Sequence, residues 1–157
     1  MDNKIKILKS VDGKSFEIEE KYLYISSFLK DLINDFPEQD EIPINQIKSK
    51  CLEKIVQYLE HYPKEAPKPI PHPLPSTDLK SILNEWDYQF INNMSFEDCC
   101  ELMNGANFLG INELMNLIGA KIASLMMTGT VEEVREKFGI PCDLTEEELK
   151  EYEGFPL

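Results

Sequence analysis

The sequence predicts an α+β fold. Strand-like alternation is confined to the part before residue 45, and helical periodicity dominates the remainder. In the last third, Ser95-Phe-Glu-Asp98, Thr130-Val-Glu-Glu133 and Thr145-Glu-Glu-Glu148 each have the Ser/Thr-x-x-Asp/Glu form that opens a helix. The hydroxyl caps a free amide of the first turn, and the acid reaches back at the positive end of the helix dipole. Strands first and helices afterwards is the α+β order.

Lys4-Ile-Lys-Ile-Leu8 alternates, Asp12-Gly13 turns, and Lys14-Ser-Phe-Glu-Ile18 alternates again. This predicts a hairpin with Ile5, Ile7, Phe16 and Ile18 facing inward. Ile25, Phe28, Leu29, Leu32 and Ile33 share one helix face. Ile42-Pro-Ile44 is a short extended piece, placed at a sheet edge or terminus because proline has no N–H for the ladder. Ser49 opens a helix to about Tyr62 with Cys51, Leu52, Ile55, Val56 and Leu59 inward.

Pro63 to Leu79 holds six prolines, five of them alternating from Pro67 to Pro75, and reads as an extended surface spacer. No two of these prolines are three apart, so the P-x-x-P spacing of an SH3-type ligand is missing. Leu79 to Asn93 predicts one or two short helices around Trp86 and Phe90. Ser95 to Leu109 predicts a helix with Phe96, Cys99, Cys100, Met103 and Ala106 on one side, ended by Gly110. Ile111 to Met127 is apolar almost all round and is predicted to be buried on most faces. After Gly129, two short helices, Val131 to Phe138 and Glu146 to about Tyr152, finish the pattern. Val134, Phe138, Ile140 and Leu144 lie on segments too short to bury themselves, which points first to a binding module.

Composition narrows the function. The 157 residues suit one domain, or one domain with an appendage, and 42% apolar content supports a core. The net charge is −13 and Arg135 is the single arginine, which argues against nucleic acid or an anionic membrane surface as partner. From Val131 to Leu157 nine acids face three bases, either a solvated acidic face or a rim that steers a basic partner. Cys51, Cys99, Cys100 and Cys142 form no C-x-x-C. With no signal peptide or long apolar run in view, reduced thiols in the cytosol or nucleus are expected. No metal, cofactor or small-molecule substrate is expected. His61 and His72 lack triad or metal spacing, glycines form no phosphate loop, and carboxylates sit on exposed helix starts where nothing would raise a pKa. Met103, Met115, Met126 and Met127 read as core filling or as an adaptable groove.

A family resemblance rests on motifs in order along nearly the whole chain. They are Ile5-Lys-Ile7 with Asp12-Gly13-x-x-Phe16, Ile42-Pro-Ile44, the proline-rich insert and Trp86-Asp87-x-x-Phe90. Further on come Gly105-Ala-Asn-Phe-Leu-Gly-Ile111, Thr130-Val-Glu-Glu-Val-Arg135, Phe138-Gly-Ile140 and Asp143-Leu-Thr-Glu-Glu-Glu148. Together they resemble the S-phase kinase-associated adaptors of SCF ubiquitin ligases. The resemblance implies a BTB/POZ core over 1–127, with the proline-rich insert at 63–79, and a two-helix extension over 128–157 that binds F-box proteins. It implies a non-enzymatic adaptor in cytoplasm and nucleus, joining a cullin scaffold to F-box proteins for ubiquitylation. By position it assigns Asn107 and Phe108 to the cullin. It assigns Cys100, Met103, Ile122, Met126, Val134, Phe138, Ile140 and Leu144 to the F-box helices.

Two departures stand out. Phe108 replaces the family's usual tyrosine, losing a hydroxyl but keeping the ring. The end, Glu151-Tyr-Glu-Gly-Phe-Pro-Leu157, has no tryptophan, leaving Tyr152 or Phe155 as substitute anchors. The competing readings are an elongin-C-like adaptor, against which Thr128 to Leu157 is surplus length, and a self-associating BTB domain.

Overall fold

The computed structural model describes residues 4–62, 67 and 69–152. The hairpin strands are β1 (Ile5–Ser10) and β2 (Ser15–Glu19), followed by one turn of helix, α1 (Glu20–Leu23), then α2 (Ser27–Asp35) and β3 (Glu41–Ile44). The sheet order is β2-β1-β3, with β1 antiparallel to β2 and parallel to β3. Pro43 therefore lies on an edge strand, as its missing N–H requires.

The face of β1 differs from the expectation. Lys6 pairs with Ile18 and Leu8 with Phe16, so these residues share a side. Lys6 and Leu8 are fully buried, whereas Ile5 is 45% exposed and Ile7 half-buried. A one-residue change of phase sends every side chain to the other face. It puts a lysine inside because the ammonium is well met there. Lys6 Nζ donates to the carbonyls of Pro37 (2.9 Å) and Gln39 (2.7 Å). Asp40 (3.4 Å) and Glu20 (3.8 Å) supply opposite charge. A buried charge is tolerated when so partnered, and here it pins the 37–40 turn that leads into β3.

Helix α2 starts two residues later than the periodicity suggests. Ser26 is its cap, Leu29 and Ile33 are buried, and Phe28 is 37% exposed. Helix α3 (Ser49–His61) buries all five expected residues and Tyr58 as well. Its start is tied to the hairpin turn, where Asp12 accepts from the Ser49 amide (2.9 Å) and hydroxyl (2.6 Å). Hydrogen bonds from the Ser10 and Ser49 hydroxyls hold the Asp12 carboxyl down at about 2.

Pro63, Lys64, Glu65, Ala66 and Lys68 of the expected spacer lie outside the described residues. Its described part has no regular structure before the 3₁₀ turn Leu79–Ser81, but Ile70 and Leu74 pack on the core. Helix α4 (Glu85–Asn92) brings Trp86 and Phe90 to Tyr58 and Tyr62, with Trp86 and Phe90 stacked at 4.9 Å.

Helices α5 (Phe96–Leu109) and α6 (Asn112–Met126) pack together, and α7 (Val131–Phe138) and α8 (Glu146–Tyr152) follow. The inward stripe of α5 is Cys99, Leu102, Gly105, Ala106 and Leu109. Phe96, Cys100 and Met103, expected on one side with Cys99 and Ala106, are only half-buried. Helix α6 also departs from the expectation of burial on most faces. Leu114, Leu117 and Ile118 are inside, but Met115, Ile122 and Leu125 are half-buried and Met126 is 48% exposed. The chain provides neighbours for one side of α6 and leaves the other apolar side open.

Replacing Lys6 by Met should destabilise the protein by about 1.5–3 kcal/mol, the range for hydrogen bonds made by a charged group. Urea denaturation would show a lower midpoint with an unchanged slope. A midpoint at or above the parent's would mean that the Pro37 and Gln39 carbonyls do not depend on this ammonium.

Candidate functional site

The candidate surfaces lie at the two ends of α5 and along the elements after it. At the C-terminal end, Gly110 closes the helix at φ 65 with its N–H on the Ala106 and Asn107 carbonyls. The buried Ser26 hydroxyl donates to the Leu109 carbonyl and accepts from the Leu29 amide (3.1 Å), capping α2 in the same contact. A Cβ on Gly110 would stand 2.0 Å from Ser27 Oγ, so both conformation and space demand glycine. This junction sets Phe28 of α2 against Phe108 of α5, with ring centroids 5.1 Å apart and planes at 43°. Asn107 is exposed beside them. The sequence motif places Asn107 and Phe108 here, but the periodicity put Phe28 on a core-facing side.

At the N-terminal end, Ser95 accepts from the Asp98 amide (3.1 Å). The Asp98 carboxylate meets Lys50 of α3, and that contact holds its pKa below the ordinary carboxylate value. Between the two ends Cys100 and Met103 are half-buried, and on α6 Ile122 is half-buried next to the exposed Met126. Phe138 of α7 sits edge-on to Phe96, with centroids 4.2 Å apart and planes at 88°. Val134 and Leu144 are half-buried and Ile140 is 50% exposed. Met127, Val131 and Leu149 add exposed apolar area at 55%, 39% and 39%, and the sequence motifs did not single them out as contact residues.

Local chemistry, rather than burial, closes α7 and α8. Thr130 and Glu133 form a reciprocal box, with bonds of 2.9 and 3.3 Å between each backbone amide and the other's side chain. Thr145 and Glu148 repeat it at 2.8 and 3.3 Å, and the Thr145 amide lowers the Glu148 pKa. Gly139 ends α7 at φ 63, and the Ile140 amide then returns to the Arg135 carbonyl at 2.8 Å. No residue of α7 is buried. The side chain of Tyr152, and Phe155, lie outside the described residues.

The cluster around α4 holds titratable groups of a different kind. Asp87 is buried and accepts from the Tyr62 hydroxyl (2.8 Å) and the Asn84 amide (2.7 Å). Burial raises its pKa against the opposing pull of those bonds, which corrects the expectation that no carboxylate would be so perturbed. Burial likewise lifts the Tyr62 hydroxyl to about 12 and the Cys51 thiol to about 11. His61 stacks on Trp86 at 3.7 Å and His72 is exposed. Among the described residues no group of three or more His, Cys, Asp or Glu is arranged to hold a metal ion, and no helix is long and apolar enough to cross a membrane.

This architecture has relatives. The S-phase kinase-associated protein 1 homolog of Tetrahymena thermophila is 34% identical over 92% of this chain and 87% of its own length. SKP1-like proteins 11 and 15 of Arabidopsis thaliana are each 34% identical, over 94% and 95% of this chain and 91% and 86% of theirs. The chain belongs to the Skp1 family. The sequence model of the Skp1-family tetramerisation domain, the POZ part, matches residues 3–64 and so takes in β1 to α3. The Skp1-family dimerisation-domain model matches residues 112–153 and takes in α6, α7 and α8. The observed α+β fold is thus the BTB/POZ type with further C-terminal helices. Helix α5, which joins both candidate surfaces, lies between the two matched regions.

Gly110 offers a test of how the Phe28–Phe108 surface is held. Gly13 also has positive φ, at 87, but nothing lies within 4 Å of a Cβ there. Gly13→Ala should cost only the left-handed backbone penalty, about 1–2 kcal/mol. Gly110→Ala adds a collision with Ser27 and should cost clearly more in urea denaturation. Equal costs would show that α2 can retreat freely from α5.

Proposed function

We propose that this Skp1-family chain is the adaptor subunit of an SCF-type ubiquitin ligase, joining a cullin scaffold to F-box substrate receptors in cytoplasm and nucleus. It performs no catalytic step in this role. The observation that carries the reading is that one core-packed helix, α5, bears outward groups at both ends. Cys100 and Phe108 are about 12 Å apart along its axis at 1.5 Å per residue. One end can hold one partner while the other end, continued by α6 to α8, holds another.

In this reading Asn107 and Phe108 contact the cullin, with Phe28 backing the ring. Phe108 contributes packing alone, since the ring has no hydroxyl. Cys100, Met103, Ile122, Met126, Val134, Phe138, Ile140 and Leu144 receive the F-box helices, through apolar area that the chain leaves half-buried or exposed. The dimerisation-domain match reaches residue 153, which favours this reading over an elongin-C-like adaptor that would lack α7 and α8.

Chromatography with mass measurement, using purified chain, an F-box domain and a cullin N-terminal region, tests the proposal. A 1:1:1 complex is expected, and a homo-oligomer that excludes both partners would overturn the reading in favour of a self-associating BTB domain. Asn107→Ala combined with Phe108→Ala should weaken cullin binding by about 2 kcal/mol or more, as loss of a central aromatic anchor does, and leave F-box binding nearly intact. Unchanged cullin affinity would remove that face from the interface. Truncation after Gly129 should abolish F-box capture while circular dichroism shows the core retained; undiminished capture would dissociate α7 and α8 from the F-box.

A further inference from the structure

Helix α6 carries a glycine that the chain's own packing does not require. Gly119 stands at the centre of the 15 residues of Asn112–Met126. Its φ is not positive, unlike that of Gly13, Gly110 and Gly139, so a side chain would put no strain on its backbone. Space does not demand glycine either. At Gly105 a Cβ would crowd Cys51 and Ile55 at 3.0 Å, and at Gly110 it would collide with Ser27. At Gly119 the nearest atom to a Cβ is Met103 Cε at 3.9 Å, an ordinary contact. Glycine in mid-helix costs backbone entropy that alanine does not, so the position weakens α6 with no return inside the chain.

Gly119 lies on the open apolar side of the helix. The buried residues of α6 are Leu114, Leu117, Ile118, Ala120 and Ser124. Met115, Gly119, Ile122 and Met126 follow one another at steps of four, three and four residues, which sets them on one face. Met115, Gly119 and Ile122 are half-buried and Met126 is 48% exposed. The Met103 contact fixes the same direction independently, because Met103 is half-buried on α5 beside this face. The glycine is thus a gap in a row of large apolar side chains. Methionines border it on both helices, and their unbranched thioethers repack around whatever enters. The match to the Skp1-family dimerisation domain covers 112–153, so α6 lies wholly within it.

Resting on the reading that F-box helices dock on α6, we infer that Gly119 is a specificity notch that admits one large apolar side chain, leucine-sized or larger, from the partner's helical stripe. A glycine kept at a helix centre against its propensity fits a place where another molecule approaches closely. A side chain entering between residues three and four apart is the usual geometry of packed helices. A partner with a small residue at that point leaves the gap unfilled, and one with a charge there buries it unpaired, so both bind more weakly. The net charge of −13 opposes pairing with a second copy, so the entering side chain belongs to a different protein.

Calorimetric titration of the full chain with a recombinant F-box domain provides the test. Gly119→Ala should raise the folding equilibrium constant roughly 2- to 5-fold in urea denaturation. It should nevertheless weaken F-box binding about 5-fold, the cost of one methyl too many in a packed site. Gly119→Leu, whose side chain would occupy the notch, should weaken binding on the order of 100-fold with circular dichroism unchanged. Truncating one large apolar side chain of the F-box domain to Ala should weaken binding to the parent chain but strengthen binding to Gly119→Leu. A purely structural role for Gly119 cannot move stability and affinity in opposite directions. F-box affinities of both variants equal to the parent's would overturn the notch and leave F-box docking in place, as would a loss that no single truncation relieves. No F-box binding by the folded parent chain would overturn the docking reading itself. A parent homodimer that Gly119→Leu disrupts would make the occupant a second copy and overturn the assignment to an F-box side chain.

Discussion

The rest of the structure depends on how closely α5 lies on α3. At Gly105 a Cβ would stand 3.0 Å from both Cys51 Sγ and Ile55 Cδ1, tighter than ordinary contact, so the two helices approach through a position without a side chain. That approach presses the stripe Cys99, Leu102, Ala106 and Leu109 into the core. It also brings Asp98 to Lys50 at one end of α5, while Ser26 holds the other end. With its inner face committed and both ends tied, α5 has no freedom to rotate. Cys100, Met103, Asn107 and Phe108 point outward because the small residues of α5 point inward.

Much of the fold was legible where one rule acted alone. The periodicity of α3 gave its whole buried face, and capping boxes with glycine stops gave both bounds of α7 and the start of α8. The misread elements are those where two demands compete. In β1 the alternation fits either Ile5 and Ile7 or Lys6 and Leu8 inward, and hydrophobicity alone chooses the first. Carbonyls and carboxylates of the distant 37–40 turn and of Glu20 decide for the second, and no local pattern announces them. Helices α5 and α6 carry apolar residues on more faces than the chain can cover, so their periodicity could not say which face would remain open.

The same ambiguity shaped the candidate site. Asn107, Phe108 and the tail residues were placed by motif, and the structure leaves each of them half-buried or exposed. Phe28 was missed because its spacing with Leu29 and Leu32 suits a core-facing helix, and only the Ser26–Leu109 contact turns it toward Phe108. Asp87 was missed as a perturbed carboxyl because its burial comes from α3 and α4 meeting around Tyr58, Tyr62 and Trp86. Long-range packing produced both surprises.

The tail presents the opposite balance. Helices α7 and α8 span Val131–Phe138 and Glu146–Tyr152, well below the ~12–15 residues at which an isolated helix becomes even marginal in water. Caps satisfy one first-turn amide in each, that of Glu133 and that of Glu148, and the Phe96–Phe138 contact is their clearest anchor to the core. The chain thus joins a committed core to a segment whose apolar side it leaves open, the side that the proposed F-box partner would complete. Hydrogen exchange on the free chain and on its complex with an F-box domain measures this directly. Amides of Val131 to Tyr152 should exchange much faster than those of Asn112 to Met126 in the free chain and slow markedly in the complex. Equal protection of the two segments in the free chain would show that the tail is held without a partner and would contradict this division.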